Sequence, residues 1–165
     1  MFKPMRRTKQ QLPHKEVLLI LEKSTSGTLA LITEEGYPYA IPLSYVYNQG
    51  KLYFHSAKTG LKIDAIKHCD KASFCIIDQD LVIPEKYSTL YRSIIAFGKV
   101  RLLENVEDIK AVAFSLGEKY NPNHPKECND EINISMPALA IIEMTIEQIT
   151  GKEAKDLMLQ REQKA

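Results

Sequence analysis

The chain has 165 residues, the length of one domain, and its 44% hydrophobic content suffices for a single core. Its 22 Lys and Arg against 21 Asp and Glu leave a formal charge of +1, which removes any bulk electrostatic reason to expect nucleic acid or an anionic membrane as partner. No run approaches the roughly 20 apolar residues of a membrane span, and the basic Met1 to Arg7 stretch leads into no apolar signal segment, so a soluble cytoplasmic protein is expected.

In chain order, Thr8 to Lys23 spaces Val17, Leu18, Ile20 and Leu21 as one face of a helix, with Pro13 near its start. Gly27 to Thr33 reads as a strand, and Glu34-Glu35-Gly36 as a turn into a second strand, Tyr37 to Tyr47. Alternation puts Tyr37, Tyr39, Ile41, Leu43, Tyr45 and Tyr47 on one face and Pro38, Ala40, Pro42, Ser44 and Val46 on the other. Asn48-Gln49-Gly50 turns into Lys51 to Ala57, so three strands should form an antiparallel meander. Thr59 to Cys69 has helical spacing with Thr59 as candidate N-cap, and Lys71 to Asp78 is a strand. Gln79 to Thr89 reads as a mobile loop, Tyr91 to Leu103 as a strand and Val106 to Tyr120 as a helix. Asn121 to Asn133 reads as a Pro and Asn rich connection, and Ala138 to Ile149 as the last strand. Strands dominate, and their number favours a barrel over an open sheet. The charged tail from Lys152 is either helical or frayed.

Chemistry concentrates in Tyr53-Phe-His-Ser-Ala-Lys-Thr-Gly-Leu-Lys62, where a strand ends in hydroxyls, lysines and a glycine and then opens a helix. Helix-start N–H groups, the hydroxyls of Ser56 and Thr59 and the ammonium groups of Lys58 and Lys62 suit a phosphate, while a plain strand-to-helix turn with solvated lysines has the same composition. Pro42, inside an apolar strand, marks either a sheet edge or a ligand-lined surface. His55 stands at the mouth of the turn, placed to donate a proton or a hydrogen bond to a ligand, although a lone histidine is usually structural. Cys69, Cys75 and Cys128 form no CxxC pair and read as reduced structural thiols; His68-Cys69 and His124 with Cys128 lack the spacing of a metal site.

Four stretches together resemble the pyridoxamine 5′-phosphate oxidase-like FMN-binding split barrels, and within them the nitroimidazole-resistance group. They are Met5-Arg6-Arg7, Gly36 to Tyr45 (GYPYAIPLSY), Tyr53 to Asp64 (YFHSAKTGLKID) and Ile141 to Glu153, which ends in TGKE. The resemblance implies a mainly β fold, a six-stranded antiparallel split barrel forming a homodimer, with FMN (FAD as the alternative) in clefts between subunits. It assigns the phosphate to Lys62 and Lys58, with Ser56, Ala57 and Thr59 around it, and runs the Ile41, Pro42, Leu43 and Ser44 backbone along the flavin. His55 falls near flavin and substrate, and the strand Tyr91 to Phe97 borders the partner's flavin with Arg92 or Ser93 in reach. The implied activity is an FMN-dependent reductase that takes electrons from a donor such as NAD(P)H and passes them to a small acceptor such as a nitroaromatic. The rival is a flavin- or haem-binding module without turnover. With no Trp and no arginine-rich C-terminal signature, vitamin interconversion is not expected.

Overall fold

The computed structural model describes residues 2–163. Its strands are β1 (Ser26–Ile32), β2 (Pro38–Ser44), β3 (Val46–Asn48), β4 (Lys51–Ala57), β5 (Lys71–Ile83), β6 (Ser88–Leu102) and β7 (Leu139–Glu153). They make one antiparallel sheet in the order β2-β1-β5-β6-β7-β4-β3. The helices are α1 (His14–Lys23), α2 (Leu61–His68), α3 (Val106–Tyr120), α4 (Pro125–Ser135) and α5 (Lys155–Glu162). No helix among the described residues is long and apolar enough to cross a membrane.

The expected second strand is two strands. β2 and β3 lie at opposite edges of the sheet, although only Tyr45 separates them in sequence. Tyr45 is fully buried, its ring meeting Phe74 edge-on at 5.0 Å, and its phenol donates to the Leu21 carbonyl at 2.7 Å. Its backbone serves side chains instead of a ladder: its N–H donates to the Tyr120 hydroxyl (2.9 Å), and its carbonyl accepts from Lys119 Nζ (3.1 Å). Burial raises the Tyr45 pKa, and it lowers that of Lys119, whose ammonium rests 4.1 Å from the Tyr45 ring centroid with no carboxylate partner among the described residues. The sheet therefore has seven strands, and its ladder does not close between β2 and β3, which corrects the six-stranded expectation. It also corrects the meander, since β2 pairs with β1 and β3 with β4.

Three further expectations change. Residues 79–89 are a hairpin extension of β5 and β6 around a 3-10 turn at Pro84–Lys86, where exposed residues give no burial periodicity to read. Residues 125–135 are α4, because Pro125 occupies the helix start, where its missing N–H is harmless. The N-terminal helix begins at His14, after a separate 3-10 turn at Thr8–Gln10. Elsewhere local signals suffice: Asn105 caps α3 by accepting from the Glu107 and Asp108 N–H groups (2.8 and 3.1 Å).

The main core joins Leu29, Leu31, Phe54, Phe74, Ile76, Ile94 and Met144 from the strands to Val17, Ile20 and Leu21 of α1 and Ala65 and Ile66 of α2. A smaller cluster, Ile109, Leu116 and Ile141, lies under α3. β7 is therefore covered on both faces near Ala140–Met144, all of which are buried. At the β6–β7 bulge between Phe97 and Gly98, a Cβ on Gly98 would sit 2.0 Å from the Thr145 carbonyl oxygen, so only glycine fits that register.

Candidate functional site

β4 alternates strictly: Leu52, Phe54 and Ser56 are buried, whereas Tyr53, His55 and Ala57 point the other way, with His55 and Ala57 exposed. Its ladder with β7 runs from Lys51 opposite Thr145 to Ala57 opposite Leu139, which fixes the strand end. Beyond it, Gly60 adopts a φ of 111°, a conformation that favours glycine, and starts α2. The N–H groups of Ile63 and Asp64 return to the Gly60 carbonyl (2.8 and 3.1 Å). Among the described residues, those of Leu61 and Lys62 donate to no backbone carbonyl, and no side chain caps the helix.

Lys62, on the first turn of α2, is half-buried and forms no ion pair among the described residues. Burial lowers its pKa, because nothing compensates the desolvated ammonium. Lys58 is placed differently: its ammonium donates to the Met136 carbonyl at 3.2 Å, and its N–H donates to the Ala138 carbonyl. Ser56 faces inward and is buried, while Thr59 is exposed. Of the cations and hydroxyls expected around this turn, the structure thus presents Lys62 and Thr59, with the two free amides beside them.

β2 has a ladder neighbour on one side only, which accommodates Pro38 and Pro42. Ile41 and Leu43 pack against the main core, and Pro42 and Ser44 are exposed on the other face. There Pro42 borders a groove of about 420 Å³ with Ser26, Gly27, Thr28, Cys75 and Ile77. Burial pushes the Cys75 thiol up, away from thiolate chemistry. The sheet-edge reading of Pro42 describes its position, and the same residue borders this groove. No hydrogen bond or ion pair among the described residues joins this groove to the Lys62 turn.

Ser93 is half-buried on the same outer face of the sheet, paired with Ile77 and Lys152. Arg92 is committed elsewhere: its guanidinium reaches Glu153 at 3.1 Å and Asp78 at 3.8 Å, and Glu153 also accepts from Arg161 at 2.7 Å. A second buried acid, Glu143, accepts from Arg101 (2.7 Å) and Lys51 (3.0 Å). Burial alone would raise the Glu143 carboxyl; Arg101, Lys51 and Tyr53 outweigh it and hold the group below the usual carboxylate range. The sequence reading missed both acids as structural centres. The available signals were an acid inside the apolar run Ala140–Met144 and the TGKE ending itself.

A family model described as pyridoxamine 5′-phosphate oxidase matches residues 13–153. No curated protein sequence matches the chain. Among solved structures, the chain is similar to a conserved hypothetical protein of Mycobacterium tuberculosis (TM-score 0.80, 19% identity, 93% of this chain and 92% of that one). It is similar to an FAD and heme binding protein of Mycobacterium smegmatis (0.74, 16%, 92% and 80%). It is also similar to a Bacteroides thetaiotaomicron protein assigned to 5-nitroimidazole antibiotic resistance (0.73, 18%, 87% and 86%). At these identities the likeness to solved structures shows the fold alone.

Proposed function

The chain belongs to the pyridoxamine 5′-phosphate oxidase family, and from that membership we propose that it is a homodimeric flavoprotein, an FMN-dependent reductase of a small acceptor. One observation carries the cofactor reading: Lys62 is a half-buried cation without an acid partner among the described residues, beside two helix-start amides that these residues leave free. A dianionic phosphate is the group that suits such a site. Lys62, Thr59 and the Leu61 and Lys62 amides would hold it, while Pro42 and Ser44 face outward on the strand that would border the ring. A bound flavin supplies two-electron chemistry between a donor such as NAD(P)H and an acceptor such as a nitroaromatic.

Lys62→Ala should weaken FMN binding by about 1.5–3 kcal/mol, or roughly one to two decades in Kd. Fluorescence titration of FMN into the apoprotein measures this, and an unchanged Kd would remove the phosphate from this turn. A second reading, haem binding without turnover, has the exposed His55 as its support, since an imidazole without a partner among the described residues is open to serve as an axial ligand. The absorbance spectrum of the purified protein separates the two: a flavin band bleached by a nicotinamide donor supports the reductase, and a Soret band the haem protein.

The dimer rests on the outer sheet face, where Ile77, Ile95 and Phe97 are 68%, 40% and 39% exposed on neighbouring strands. Apolar side chains collected on one sheet face are what a second copy would cover. That arrangement would bring Ser93 of the partner subunit towards the flavin cleft. Light scattering should give twice the chain mass at micromolar concentration; a stable monomer that retains its flavin would exclude a shared site.

A further inference from the structure

The Met5-Arg6-Arg7 stretch, one of the four that carry the family resemblance, is assigned no role in the flavin site, and its two arginines line a cleft of their own. The segment before α1 folds against α5 and leaves a space of about 490 Å³, walled by Arg6, Arg7, Lys9 and Lys155 and floored by the buried Met158. Among the described residues, no carboxylate lines it. None of its four cations forms an ion pair among the described residues, in a chain whose overall formal charge is only +1.

Gln10 supplies an independent observation. It also lines the cleft, is only 7% exposed, and its Oε1 is buried with no hydrogen-bond partner. A buried amide oxygen left unpaired is costly, and a turn of the Gln10 side chain towards the cleft would offer it to a ligand's hydroxyl. The segment is held in place by backbone pairing: Gln11 bridges to Lys152, and the Leu12 N–H donates to the Gly151 carbonyl at 3.0 Å.

We propose that this cleft is a second anion site, distinct from the Lys62 turn, that binds a phosphomonoester bearing hydroxyl groups. Two adjacent guanidinium forks suit the oxygens of a phosphate dianion, and Lys9 and Lys155 add point charges. The volume is that of a small-metabolite site, and the Gln10 oxygen, once its side chain turns into the cleft, accepts from the ligand's hydroxyl.

Calorimetric titration of the full chain, in whatever flavin state it is purified, tests this with ribose 5-phosphate, inorganic phosphate and ribose. Ribose 5-phosphate should bind more tightly than inorganic phosphate, and ribose should give no heat. Arg6→Gln and Lys155→Gln should each weaken ribose 5-phosphate binding about tenfold or more, and Gln10→Met should bring its affinity down to that of inorganic phosphate. Flavin absorbance followed in parallel should stay constant, so the result is independent of the flavin reading. No heat from either phosphate, undiminished binding in the Arg6 and Lys155 variants, or release of flavin during the titration would each overturn the proposal.

Discussion

Glu153→Gln is expected to lower the melting temperature by roughly 6–12 °C, the largest stability loss at any single ion pair in this protein. The Glu153 side chain is fully buried and accepts from Arg92 on β6 and Arg161 on α5. The amide would keep the volume and remove the charge, leaving Arg161 without a carboxylate among the described residues and Arg92 with only the longer contact to Asp78. Removing one partner of a buried ion pair costs about 3–5 kcal/mol, and the lower end applies because Arg92 and Arg161 keep 23% and 28% exposure. For a domain of this size, each kcal/mol moves the midpoint by roughly 2–4 °C. The position of the residue makes the effect global: Glu153 sits opposite Arg92 in the β6–β7 ladder, and the next residue, Ala154, donates its N–H to the Tyr91 carbonyl before α5 begins. The neighbouring Lys152→Gln, whose ammonium rests over the Tyr91 ring, should stay within about 1 kcal/mol of the parent and serves as the control. Calorimetric melting of both variants decides the matter, and a Glu153→Gln midpoint equal to that of Lys152→Gln would show that the network carries no stability.

What the sequence disclosed follows the range of the interactions involved. β4 and α3 carry their own instructions, a two-residue alternation in one and an Asn105 cap before an amphipathic run in the other, and their limits were readable to the residue. The break at Tyr45 was not. It depends on Tyr120, 75 positions later, taking over backbone groups that a continuous strand would have used. The 79–89 hairpin and α4 were misread for a related reason: both are mostly exposed, so neither leaves the apolar rhythm from which elements are recognised. At the candidate site, Lys62 was legible because helix-start cations follow from local pattern. The engagement of Lys58 by the Met136 carbonyl, 78 residues away, was not legible from pattern. Glu143 and Glu153 look like surface acids until their cations arrive from other strands and from α5.

His55 gives the sharpest test of the reductase reading, because its position separates it from cofactor retention. It lies one turn of the β4 alternation before Ala57, exposed, opposite Ile141 in the β7 ladder and outside the Gly60–Lys62 segment that would hold the phosphate. Imidazole is the side chain that exchanges a proton most readily near neutral pH, and a nitro or quinone acceptor gaining electrons needs protons. His55→Ala should therefore retain flavin at parental occupancy while lowering acceptor turnover about 10²-fold, the ordinary contribution of one general acid. Being exposed, the side chain fills no core space, and its removal should leave the melting temperature nearly unchanged. His55→Gln keeps a hydrogen-bond donor without an exchangeable proton near neutrality; it should resemble the alanine variant if proton donation is the role, and the parent if the residue only orients the acceptor. The paired measurement is flavin absorbance per chain beside the rate of reoxidation by a nitroaromatic. Equal loss of occupancy and rate would make His55 a structural residue at the strand end, and loss of neither would leave the acceptor's proton to come from solvent.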